Sequence, residues 1–269
     1  MHQDSIVNLL TNPLKLSPDV KLETIDGGAV NRTFKLSDND RAFAVKWFAD
    51  DAFSGINRLH QFVLQEQLAH RKIAPMPVWL SDDGKLWVEV WHEAAQLPAD
   101  PNQQINTLAN VLSTIHAQPI TARPLELTQR FEHYIKIANI SSDDSLTHQA
   151  NEIAKWLLQE SDDTALTLCH NDLAMVHILD PALPVVIDWE YAAMGNRYFD
   201  IASAIEINQL ANDDALVLCE LYAERASLDK RHVKESVDKQ LEVVQLTNIL
   251  WKKALDYTNK DQIEPPIVL

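Results

Sequence analysis

The sequence predicts an α+β protein with a small, strand-rich N-terminal part and a larger, mostly helical C-terminal part. Three observations predict it. Before residue 93, short apolar runs alternate with polar residues at the period of half-buried strands. From Asn102 onward the apolar spacing becomes helical, with Ile105, Leu108, Ala109, Leu112 and Ile115 on one stripe. Two short apolar runs, 165–168 and 185–187, have strand length, and each leads into a polar cluster containing an Asp: Asp172 and Asp188.

Taken in order, residues 5–10 predict a short amphipathic helix that Pro13 and Pro18 end. Residues 20–25 alternate as a strand, break at Asp26-Gly27-Gly28 and resume at 33–36. The chain has only five glycines, where ordinary usage would give about nineteen. An adjacent pair therefore marks a backbone position that a side chain would obstruct. A polar turn at 37–41 leads to a strand over 42–48, which Lys46 interrupts. A buried ammonium there needs an anionic partner. Residues 57–72 predict a helix with Leu59, Phe62, Val63 and Leu68 facing inward, and 77–80 with 86–91 predict a second hairpin around Asp82-Asp83-Gly84.

Helices are expected over 102–117, 129–140, 146–159, 201–207, 213–226 and 234–260, and Pro265-Pro266 ends the pattern. Pro181 and Pro184 force a turn between 177–179 and 185–187, so these segments read as a hairpin. Such a hairpin is expected to return Asp188 close to His177 and to the loop carrying Asp172. Two carboxylates and an imidazole around one small volume suit a metal-assisted transfer.

Composition narrows the partners. The net charge of −16 argues against a nucleic-acid surface and against an anionic membrane. Cys169 and Cys219 give no disulfide framework, so a reducing cytoplasm is the expectation. No signal peptide and no run of the roughly 18 apolar residues a membrane span needs is visible. The expected partner is a small-molecule substrate, and the sequence leaves oligomeric state open.

His170-Asn171-Asp172, Ile187-Asp188-Trp189-Glu190-Tyr191 and Arg197-Tyr198-Phe199-Asp200-Ile201-Ala202 together resemble the active-site signature of the aminoglycoside phosphotransferase and choline kinase superfamily. Gly27-Gly28-Ala29-Val30-Asn31 is similar to the glycine loop of its choline/ethanolamine and thiamine kinase branch. His177 stands where the family carries a metal-binding Asn. The resemblance implies a protein-kinase-like bilobal fold, with an N-lobe over 1–93 and a C-lobe over 94–269. It implies a small-molecule kinase that transfers the ATP γ-phosphoryl group to a hydroxyl of a small, cationic metabolite, choline-, ethanolamine- or thiamine-like. Its cofactors would be ATP and Mg²⁺ or Mn²⁺.

By the same resemblance Asp172 would be catalytic. Lys46, Gly28 and Asn31 would bind nucleotide, and Asp188 and His177 metal. Tyr191, Trp251 and Glu190 would contact substrate, with Tyr257 and Glu206 as further candidates near the pocket. His170 and Asp200 would support the loop, and His116 reads as a structural histidine. In protein kinases the helix corresponding to residues 57–72 donates a Glu to the strand lysine. Here Gln61 falls at the expected position and Glu66 is the nearest carboxylate, so the partner of Lys46 stays open. Two rival readings are a pseudokinase that binds nucleotide or metabolite as a sensor, and a metal-dependent hydrolase using His170, Asp172, His177 and Asp188.

Overall fold

Alternating strands with one apolar face need a helix to cover it, and the N-terminal third of the chain supplies both. The structure is a computed structural model that describes residues 3–25, 32–48, 55–159 and 165–261. Its helices are α1 (Gln3–Leu14), α2 (Arg58–His70), α3 (Pro101–His116), α4 (Leu127–Ile137), α5 (Ser145–Gln159), α6 (Arg197–Ile207), α7 (Asn212–Ala226) and α8 (Lys230–Asp261). Its strands are β1 (Lys21–Ile25), β2 (Arg32–Asp38), β3 (Arg41–Trp47), β4 (Pro77–Leu80) and β5 (Leu86–Val90), then β6 (Leu166–Cys169), β7 (Ile178–Asp180), β8 (Val185–Val186) and β9 (Ala193–Asn196). The chain divides into two compact units. The first takes Met1–Asp51, Ile56–Leu97 and Val176–Glu190; the second takes Ala52–Gly55, Pro98–Met175 and Tyr191–Leu269.

In the first unit, five antiparallel strands run in the order β1-β2-β3-β5-β4. Side chains alternate across a sheet, so Phe34, Leu36, Phe43, Val45, Leu86 and Val88 share one face. Ile6, Leu10 and Leu14 of α1, one turn apart, pack on that face to make the core. Each fully buried aliphatic side chain contributes about 1.5–3 kcal/mol. The helix is longer than the sequence suggests, and Pro13 lies inside its last turns. The opposite face of the central strands carries Ala44, Lys46, Trp87 and Glu89, with Lys46 paired to Trp87 and Ala44 to Glu89 across β3 and β5.

The inward face of α2 corrects the expectation. Leu59 and Val63 are exposed, whereas Leu64, Gln65 and Leu68 are buried and Phe62 packs edge-on against Trp87. The buried stripe is led by a polar residue, Gln65, which a hydrophobic pattern skips. Asn57 caps α2 by accepting from the His60 N–H at 3.1 Å. The β7–β8 hairpin forms as the prolines imply, with Ile178 opposite Val186.

The second unit is mostly helical. Helix α6 is its axis: Tyr198 through Ile205 are all buried. A helix buried on every side needs neighbours all round, and α3, α8 and the β6–β9 pair contact it. The strand β9 was not anticipated; Ala193-Met194-Gly195-Asn196 is too short and mixed to show a strand period, yet it pairs with β6 throughout. No helix among the described residues is long and apolar enough to cross a membrane. Both cysteines are buried and free.

Candidate active site

On the first unit, Lys46 is the centre. Its strand position aims it away from the α1 face, and two carboxylates receive it: Glu89 at 3.4 Å and Asp188 at 3.8 Å. Burial alone would lower the Lys46 ammonium, but Glu89, then Asp188 and Glu190, more than offset it and raise the pKa. The ammonium stays charged. Lys46, Arg58, Gln61, Trp87, Asp188 and Glu190 line one cleft.

Glu89 is the partner that the sequence left open. It is 2% exposed, and it comes from the neighbouring strand rather than from α2. One of its oxygens accepts from Gln65 Nε2 at 2.7 Å and from Trp87 Nε1 at 2.9 Å. Gln65 Nε2 also donates to the Pro75 carbonyl at 2.9 Å. Neither of the two helix positions weighed from sequence faces Glu89 in this way. Gln61 Nε2 donates instead to the Glu190 carbonyl at 2.9 Å, and Glu66 is exposed.

Asp188 follows β8 in a left-handed backbone conformation, φ +70°. For a residue with a Cβ this costs roughly 1–3 kcal/mol and persists only where neighbours impose it. The Ile187 N–H donates to the His177 carbonyl at 3.0 Å, and Trp189 Nε1 donates to the Val186 carbonyl at 2.7 Å. His177 Nε2 lies 3.7 Å from Asp188, so the hairpin does bring these two expected metal ligands together.

The Glu190 carboxylate pairs with Arg58 at 2.8 Å, and the guanidinium stacks over Phe48 with its carbon 3.6 Å from the ring centroid. Burial first, then Asp188, raise the Glu190 pKa. Glu190, expected as a substrate contact, lines the lysine cleft. Gly28 and Asn31 lie outside the described residues.

The second unit holds the loop with Asp172. Strand β6 ends at Cys169, and the chain then turns with Asn171 at φ +64°, a conformation Asn tolerates. Asp200, fully buried on α6, accepts from the backbone N–H groups of His170 at 2.8 Å and Asn171 at 2.7 Å. His116 Nε2 lies 2.9 Å from the same carboxylate, and its Nδ1 lies 2.7 Å from the Tyr222 hydroxyl. Burial works to raise Asp200, but the His116 hydrogen bond and neighbouring charge hold it below the usual carboxylate range.

Two further residues, Ser203 on α6 and Asn208 just after it, secure the loop. Ser203 Oγ donates to the Asn171 carbonyl at 2.9 Å. Asn208 accepts from the Met175 N–H at 2.8 Å and donates to the Leu173 carbonyl at 2.9 Å. His170 is fully buried, and Asp172 is half-buried between these anchors.

Tyr191 and Trp251 also meet: the indole Nε1 donates to the Tyr191 hydroxyl at 3.1 Å. The Arg130 guanidinium lies 5.8 Å from the Tyr191 ring centroid, and Asn171 Nδ2 donates to the Tyr191 carbonyl at 2.9 Å. Tyr257 is exposed, and Glu206 accepts from Gln245 at 2.9 Å.

A family model described as phosphotransferase enzyme family matches residues 21–232. The chain belongs to that family. Among its relatives, an uncharacterized protein of Metamycoplasma hominis is 30% identical over 51% of this chain and 27% of its own length. A "Protein LicA homolog" of Mycoplasma capricolum is 25% identical over 55% of this chain and 62% of its own. The chain thus spans less than two thirds of the length of either. The crystal structure of choline kinase LicA from Streptococcus pneumoniae superposes with a TM-score of 0.70 at 15% identity, covering 97% of this chain and 100% of that one. LicA in complex with AMP gives 0.70 at 16%, covering 96% and 99%. An aminoglycoside-3'-phosphotransferase of type VIII gives 0.65 at 18%, covering 91% and 100%. The family's fold is therefore a kinase-like one, with a strand-rich N-terminal sheet and a helical C-terminal part.

Sequence reasoning missed Glu89, Gln65, Arg58, Ser203 and Asn208. A signal existed for the first. Glu89 interrupts the apolar run Leu86-Trp87-Val88 as Lys46 interrupts its own strand, and two buried opposite charges on neighbouring strands are candidates for each other.

Proposed function

We propose that this chain is a small-molecule kinase that transfers the γ-phosphoryl group of ATP to a hydroxyl of a small cationic metabolite of the choline, ethanolamine or thiamine type. The observation that carries this reading is the buried Lys46 ammonium, fixed by Glu89 beside a strained Asp188. A protein has little reason to bury an ammonium among carboxylates for stability alone. It has one if an anionic group must be met there.

In this reading Lys46 contacts the ATP phosphates, and Gly28 and Asn31 cover them. Asp172 accepts the proton of the acceptor hydroxyl as its oxygen attacks the γ-phosphorus; the bond to the β-phosphate oxygen breaks and ADP leaves. His170 and Asp200 keep that loop in place, and Tyr191 with Trp251 offers the acceptor an aromatic surface.

The donor chemistry supports a divalent ion. The cleft sets two cations, Lys46 and Arg58, against three carboxylates, Glu89, Asp188 and Glu190. A polyphosphate entering such a cleft brings more negative charge. Asp188 would hold Mg²⁺ through oxygen, and His177 adds a nitrogen that suits Mn²⁺ better. When bound, the ion would neutralise phosphate charge. The site of transfer is expected to be cytoplasmic, with no nucleic acid or membrane involved.

His177 favours a second reading, a sensor that binds nucleotide and transfers slowly. One experiment separates them: ADP release from ATP with choline, ethanolamine, thiamine, related amino alcohols and an aminoglycoside, each with Mg²⁺ and Mn²⁺. Acceptor-dependent ADP release with a cationic alcohol is expected. Nucleotide binding without release from any acceptor would select the sensor.

A further inference from the structure

We propose that Glu89 is the positioning residue of the nucleotide cleft: its buried carboxylate, locked by two neutral N–H donors, fixes where the Lys46 ammonium sits. The proposal rests on the phosphotransfer reading above and deepens it by naming what sets the place of its lysine.

The argument starts from what holds Glu89. Its two oxygens have divided duties. Oε2 takes the Gln65 and Trp87 N–H groups at 2.7 and 2.9 Å, and Oε1 faces Lys46 at 3.4 Å. The Gln65 amide cannot be turned over, because its nitrogen sits between two acceptors, the Pro75 carbonyl and Glu89. Its orientation is forced, and so is that of the carboxylate it holds.

None of those donors carries charge. Two neutral donors fix direction without cancelling the carboxylate, so among the described residues its charge is left for Lys46. Asp188 cannot do the same. It lies further from Lys46, its side chain is 36% exposed, and His177 competes for it. The rigid anchor of Lys46 is thus Glu89, and the adaptable one is Asp188. An incoming phosphate can then draw on Asp188 without displacing the lysine.

Charge and shape can be separated at this position. Glu89→Gln keeps the length and leaves an amide oxygen to accept from Gln65 and Trp87, but it turns an NH₂ toward Lys46. Glu89→Asp keeps the charge and shortens its reach. Lys46→Met sets the floor. We expect Glu89→Gln to weaken ATP binding and raise KM for ATP on the order of tenfold, less than the loss of a direct desolvated charge partner because Lys46 itself remains, with adenosine affinity unchanged and kcat less affected. Glu89→Asp should retain more than Glu89→Gln. If Glu89 served only packing and hydrogen bonding, the order would reverse, since Gln is the better mimic of shape.

Wild type, Lys46→Met, Glu89→Gln and the double variant Lys46→Met/Glu89→Gln form an unfolding cycle read by denaturant titration. Non-additive effects are expected, because the pair is in contact. An ATP-binding wild type whose Glu89→Gln variant binds ATP equally well, or additive unfolding effects, would overturn the role of Glu89. If Glu89→Gln does not fold, Glu89→Asp alone carries the binding arm, and wild-type behaviour in it would overturn the role. A coupled cycle in a wild type that binds no ATP would leave the ion pair standing. It would sink the phosphotransfer reading, and the positioning role with it.

Discussion

Two buried carboxylates, Glu89 and Asp200, solve the same problem differently. Each is almost fully removed from water, where an uncompensated charge would cost several kcal/mol. Asp200 spends its acceptor capacity on two backbone N–H groups, those of His170 and Asn171, and on the His116 ring. Glu89 spends its own on side chains from three separate positions, Lys46, Gln65 and Trp87. The first arrangement holds a loop in shape. The second holds a charge in place. The difference teaches that Asp200 should be read through stability and Glu89 through ligand binding.

The largest expected effect breaks the Asp200 side of that comparison. Asp200→Ala leaves two backbone donors and His116 without their acceptor, which should cost about 3 kcal/mol. Because the Asp200 pKa is held below the ordinary range, its contribution is present above the unfolded value near 3.9 and is lost as pH falls through the lower folded value. Denaturant unfolding of wild type and variant from pH 7 into the acid range checks this. The two should converge as acid is added, and parallel curves would show that Asp200 does not titrate as described.

A smaller effect sharpens the acceptor side. A desolvated cation–π contact contributes about 2 kcal/mol. Trp251→Ala or Tyr191→Ala should therefore raise KM for a quaternary or aromatic cation by at least about tenfold, with little change for ATP. Arg130 near the Tyr191 ring makes this a demanding test. Equal KM values across wild type and both variants would move the acceptor elsewhere.

The smallest effect concerns His177, which lies 3.7 Å from Asp188. Imidazole suits Mn²⁺ better than Mg²⁺, so His177→Asn should shift the ratio of Mn²⁺- to Mg²⁺-supported activity toward Mg²⁺ by a few-fold. Titration of both metals against both proteins reads it. Identical ratios would place His177 outside the metal's ligands.

How much of this was legible depends on where the partners lie. The strand lysine, the two Asp-bearing loops and the proline-forced hairpin could be read because each is marked by neighbours in sequence. Asp200 could be read only through a resemblance, and its contacts 29 and 30 residues away only through the fold. The inward face of α2 was misjudged because Gln65 is a polar residue on a buried stripe, placed there to serve Glu89. Residues whose partners lie far off in sequence, such as Gln65, Arg58 and Asn208, leave no periodic trace.

The most direct test of the account is phosphoryl transfer by wild type and Asp172→Asn, with ATP binding measured on the same samples. An amide cannot take the hydroxyl proton, so the variant should lose activity by roughly 10²–10⁴-fold while binding ATP as wild type does. The reading is of a kinase whose chemistry passes through Asp172. An Asn variant that turns over at the wild-type rate would contradict it.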